Sequence, residues 1–148
     1  MEEALAEARR AAGMGEVPVG AVVVSAEGEI LARGHNRRQI DSDPTGHAEL
    51  LAIREAAARI GDWRLEGCTV YATLEPCPMC AGTMIMSRIA RCVYGCTDPK
   101  GGFLGTLADI SHVPGLNHHF EVVSGVMAEE SSEMLRSFFR ELRIRRRD

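Results

Sequence analysis

The chain has 148 residues, 45% hydrophobic and 26% charged, with a formal net charge of −4. That length buries one sizeable core, so a single domain over residues 1–148 is expected. No apolar run reaches the length of a membrane span, the start Met1-Glu2-Glu3 has no signal-peptide pattern, and five cysteines are an odd number for a disulfide framework, so a cytoplasmic chain with no membrane partner is the default.

Residues 3–12 have the spacing of a short amphipathic helix. Residues 19–25 and 29–34 predict strands joined by a hairpin at Ala26-Glu27-Gly28. A polar stretch over 36–46 leads into a helix over 46–59, with Leu50, Ile53, Ala57 and Ile60 at helical spacing. Residues 69–73 predict a strand. Residues 77–87 predict a helix that Pro76 opens, and 91–94 a further strand. A Gly-rich loop follows over 97–119, and a loop of that length normally binds something or moves. Residues 120–123 read as a last strand and 129–143 as the final helix. Strands alternating with helices predict an α/β domain, three-layer α/β/α with a central mixed sheet. The end of the chain is basic: Arg136, Arg140, Arg143, Arg145, Arg146 and Arg147 stand against Glu141 and Asp148. Such a cluster suits a nucleic acid, whatever the sign of the total. The plainer reading is a solvated helix face.

The chemistry sits in two short motifs, His47-Ala48-Glu49 and Pro76-Cys77-Pro78-Met79-Cys80. His47, Cys77 and Cys80 are good zinc ligands, and Glu49 is a carboxylate left over. A structural zinc site normally has four protein ligands, whereas a catalytic one keeps three and leaves a position for water. Cys77 and Cys80 lie one turn apart on a predicted helix. His47 and Glu49 are two apart, roughly 200° around a helix, so they converge only near its end. The expected arrangement is one zinc per chain between two helix N-termini, with Glu49 as proton carrier. Cys68 and Cys92 read as buried thiols. Cys96, at a strand end, carries no assigned role. His118-His119 is a poor metal pair, because neighbours on an extended chain point apart. His35 and His112 read as surface or loop histidines, His112 within a loop that could face RNA.

H-x-E followed by P-C-x-x-C is the known signature of zinc nucleobase deaminases. The chain resembles the bacterial tRNA-specific adenosine deaminase family over nearly its whole length. The likeness runs through residues 16–22, 43–49, 73–82, 87–89, 98–102, 114–118 and 137–140. It implies the cytidine-deaminase-like fold and hydrolysis of adenosine to inosine at the wobble position of a tRNA anticodon. It implies zinc held by His47, Cys77 and Cys80, with Glu49 moving protons. It also implies a homodimer that binds the anticodon stem-loop. Asn36 matches a family residue that hydrogen-bonds the target base. Asp98 and Lys100 match loop residues suited to the RNA backbone or ribose. The backbone N–H groups of Ala48 and Cys77 could polarise the site. The rival readings are a deaminase of free guanine, cytosine or a nucleotide, and a non-enzymatic zinc module that binds RNA.

Overall fold

A computed structural model describes all residues, 1–148. The first helix, α1 (Glu2–Gly13), buries Ala4, Leu5, Ala8 and Ala11, a stripe at helical spacing. The next two elements are β1 (Gly20–Val24) and β2 (Ile30–His35), an antiparallel hairpin running from Gly20 opposite His35 to Val24 opposite Ile30, with a shift of register between Val23 and Val24. β1 also pairs antiparallel with β3 (Thr69–Leu74). Beyond it β4 (Arg91–Cys96) and β5 (Glu121–Val123) continue in parallel. The sheet is therefore mixed, in the order β2-β1-β3-β4-β5.

Two helices, α2 (Ala48–Ile60) and α3 (Pro78–Met86), pack together on one face of the sheet. α1 and α4 (Ala128–Arg147) cover the other. The strand pattern follows from this. Ala21 and Val23 join the core beneath α2 and α3, and Val22, one residue out of phase, is buried outside that cluster. A centre buried on both faces needs a run of apolar residues, not an alternation.

The three-layer α/β/α architecture is as expected. β2 lies one residue later than expected, at Ile30–His35, β4 runs two residues longer, to Cys96, and α4 continues to Arg147. Arginine is a strong helix former, so the basic end does not stop α4. The opening of α3 differs more. Cys77 is its cap residue and Pro78, not Pro76, takes the first turn. Pro76 lies before the helix, where its carbonyl accepts the Phe103 N–H at 2.9 Å.

Gly34 lets α2 approach β2 closely. A methyl group there would collide with the Ala48 carbonyl oxygen and come within 3.0 Å of the Ala52 nitrogen. At its other end α2 stops at Gly61, whose left-handed φ of 72° lets its N–H return to the Ala57 carbonyl. No helix is long and apolar enough to cross a membrane.

Candidate metal centre and active site

Both α2 and α3 begin at the same end of the molecule, and their cap residues supply two of the three expected ligands. His47 caps α2 with φ −87° and ψ 146°, and Cys77 caps α3 with φ −75° and ψ 173°. These extended conformations aim the side chains ahead of the helices. Neither side chain is spent on a capping hydrogen bond. Cys80 follows in the first turn of α3, fully buried. The Nδ1 of His47 lies 3.5 Å from the Cys77 sulfur and 3.6 Å from that of Cys80. All three donor atoms fall within 4.8 Å of one another.

These donors fit zinc. Zn–N bonds near 2.1 Å and Zn–S bonds near 2.3 Å at tetrahedral angles put neighbouring ligand atoms about 3.6–3.8 Å apart. Two sulfurs and one imidazole suit zinc better than magnesium or calcium, which prefer oxygen. No fourth protein donor joins the group, and Glu49 stands outside it.

The electrostatics point the same way. Hydrogen bonding from Cys80, and then from His47, lowers the Cys77 thiol to about 4. The hydrogen bond to that thiolate raises the His47 imidazole. Cys80, already buried beside a thiolate, is pushed up. A metal that takes both sulfurs therefore displaces a proton from Cys80. Glu49 is 4% exposed, and burial raises its carboxyl above the ordinary carboxylate range. A carboxyl tuned upward in this way suits a proton shuttle.

The centre opens onto a cavity of about 550 Å³, a size that holds a base or nucleoside. Every sequence-derived site residue but one lines it: His47, Glu49, Cys77, Asn36, Ala48, Asp98 and Lys100, while Cys80 lies behind the wall. Asn36 does not reach it free-handed. Its amide donates to the Val17 carbonyl at 3.2 Å and accepts from the Arg38 N–H at 3.1 Å. One N–H and one carbonyl lone pair remain for a base. The Asp98 carboxylate likewise accepts the N–H groups of Lys100 and Gly101, so it shapes its own turn.

Arg38, Glu75, Leu135 and Phe139 also line the cavity, and sequence reasoning missed them. Arg38 forms no ion pair, and its position two residues beyond Asn36 was the available signal. Leu135 and Phe139 come from α4, far away in the chain. Most of the other candidates behave as expected, but His35 is a half-buried residue at the end of β2, not a surface or loop histidine. Cys68 and Cys92 are buried. His118 and His119 turn to different carbonyls, Ile89 and Val113. His112 stacks on His119, and His35 meets Glu7 at 3.1 Å. None of these histidines lines the cavity.

A family model described as the cytidine and deoxycytidylate deaminase zinc-binding region matches residues 1–96. The tRNA-specific adenosine deaminase of Bacillus subtilis (strain 168) is 52% identical over 147 residues, 99% of this chain and 91% of the relative. That of Haemophilus influenzae (strain Rd) is 46% identical over 143 residues, 97% of this chain and 83% of the relative. A solved structure from work on A-to-I editing by tRNA:A34 deaminases at the wobble position superposes with a TM-score of 0.87 and 44% identity, covering 91% of this chain and 97% of that one. Donor geometry, fold and full-length likeness agree, and the chain belongs to the zinc-binding cytidine and deoxycytidylate deaminase family, among its tRNA-specific adenosine deaminases.

Proposed function

We propose that this protein hydrolyses adenosine to inosine at the wobble position of a tRNA anticodon. The observation that carries the reading is a three-donor metal centre, with a buried carboxylate that is not a ligand, opening on a cavity walled by α4. Along α4 the cavity residues Leu135 and Phe139 are followed at helical spacing by exposed Arg143 and Arg146, neither in an ion pair. Unpaired arginines leading away from a base-sized cavity suit a polynucleotide better than a free base.

His47, Cys77 and Cys80 would hold zinc, which when bound supplies a Lewis acid that lowers the pKa of water toward neutrality. Glu49 accepts the proton lost by the attacking water. It passes that proton to N1 of adenine as the water oxygen bonds to C6. The C6–N6 bond then breaks as Glu49 carries the C6 hydroxyl proton to the amino group, leaving a C6 carbonyl, and ammonia leaves. The free N–H and lone pair of Asn36 hold the base edge. Arg38, Asp98 and Lys100 meet ribose and phosphate at the rim. We also propose a homodimer, which light scattering of the purified protein will test.

The test is inosine formation on anticodon stem-loops carrying A, C or G at the target position. Product from the A stem-loop alone is expected. Release of ammonia from free guanine or cytosine, with no inosine from RNA, would establish the small-molecule reading instead.

A further inference from the structure

We infer that Glu75 is a positioning residue that builds the substrate-facing loop, an inference that deepens the reading of the site given above. Glu75 is 2% exposed and lies between the end of β3 and the ligand Cys77. No cation meets its carboxylate. Four donors converge on it instead. Oε1 accepts the Asp98 N–H at 3.1 Å and the Thr106 hydroxyl, and Oε2 accepts the N–H groups of Leu104 and Thr106, each at 3.1 Å. A buried carboxylate with its lone pairs filled by one loop acts as a template for that loop. The backbone beside it reinforces the attachment, since the Glu75 N–H bonds the Cys96 carbonyl and the Pro76 carbonyl takes the Phe103 N–H, both at 2.9 Å.

The loop so held carries Asp98 and Lys100 at the cavity wall. Strand end, metal ligand and substrate wall are therefore joined through one side chain. Gly102 gives independent support. A methyl group there would overlap the Glu75 carboxylate, although this glycine has no positive φ that would forbid alanine. The need for glycine at 102 comes from Glu75, not from the backbone.

Two variants test the assignment. Glu75→Gln keeps the shape and replaces one acceptor oxygen with an NH₂ group that faces N–H donors. Gly102→Ala keeps the charge and displaces the loop. Hydrogen exchange by mass spectrometry should show the amides of residues 98–106 exchanging about tenfold or more faster in both variants, with α2 and α3 unchanged. Zinc content should stay at one per chain. KM for the A stem-loop should rise on the order of tenfold, with kcat within about threefold. Unaltered exchange in residues 98–106 would overturn the inference, as would loss of zinc, which would make Glu75 a support for the ligands alone. If the wild-type enzyme made no inosine, the proposed function would fall, and the exchange measurement would still decide the role of Glu75.

Discussion

The smallest unit with a consequence here is the carboxylate of Glu49. It lies in the first turn of α2, two residues beyond a ligand, yet outside the donor group. The extended cap at His47 explains this. It turns the imidazole ahead of the helix while Glu49 stays within it. Burial raises the carboxyl and readies it to take and return a proton. In the proposed mechanism metal binding and proton transfer belong to different side chains, and the two should separate on mutation. Glu49→Gln should keep about one zinc per chain, by metal analysis, and lose about 10²–10⁴-fold in kcat. His47→Ala should lose the metal as well. Zinc loss from Glu49→Gln would make Glu49 a ligand and leave the centre without a proton carrier.

At the level of elements, the site depends on where two helices begin. α2 is held against β2 by the missing side chain of Gly34, which sits beneath the turn bearing Ala48 and, beside it, His47 and Glu49. Gly34→Ala should push that turn outward. The expected cost is about 1–3 kcal/mol in a urea melt, with weaker zinc binding in a chelator competition. A loss of stability with zinc affinity intact would mean that the strain is absorbed without displacing His47 from Cys77 and Cys80. Most elements were legible in the chain because their signals are local: apolar spacing for α2, β-branched runs for the hairpin, two cysteines a turn apart for α3. Two kinds of feature were not. Pro76 and Pro78 both suit a helix start, and only the cap geometry separates them. The stretch 97–119 reads as a free loop because its template, Glu75, lies 23 residues from Asp98 and 31 from Thr106. Hydrogen bonds over such separations leave no periodicity to read. The strand order was hidden for the same reason. His47, Cys77, Cys80 and Glu49 stood out because zinc chemistry restricts residue type and spacing together, whereas Leu135 and Phe139 look like any apolar pair on a helix.

For the molecule as a whole, the net charge of −4 is a poor guide to its partner. What matters is which cations are already spent. Arg136 and Arg140 pair with Glu133, and Arg145 lies 3.9 Å from Glu141. Arg143, Arg146 and Arg147 form no ion pair and are exposed. Replacing these three by glutamine should weaken tRNA binding at low salt. The log–log salt dependence should flatten by roughly 0.7–0.9 for each phosphate that is no longer neutralised. Thermal stability should stay within about 0.5 kcal/mol, since the positions are exposed. Arg136→Gln should change the slope little. An unaltered slope in the triple variant would mean that the basic end is a solvated face, and that the RNA is held at Arg38 and Lys100.

The cavity has two walls of different origin. Its reactive wall is complete by Cys80, within the stretch that the family model covers, residues 1–96. The facing wall, made by the loop from Thr97 onward and by Leu135 and Phe139 of α4, comes after that boundary. The two are joined by the β4–β5 pairing, by the Phe103 N–H on the Pro76 carbonyl at 2.9 Å, by Glu75, and by the Ser131 hydroxyl that accepts the Cys96 N–H at 3.2 Å. The metal ligands, Glu49 and the base-facing Asn36 thus precede that boundary, and much of the cavity's rim follows it. Substitutions in the final third can therefore reshape the rim without touching a metal ligand or Glu49.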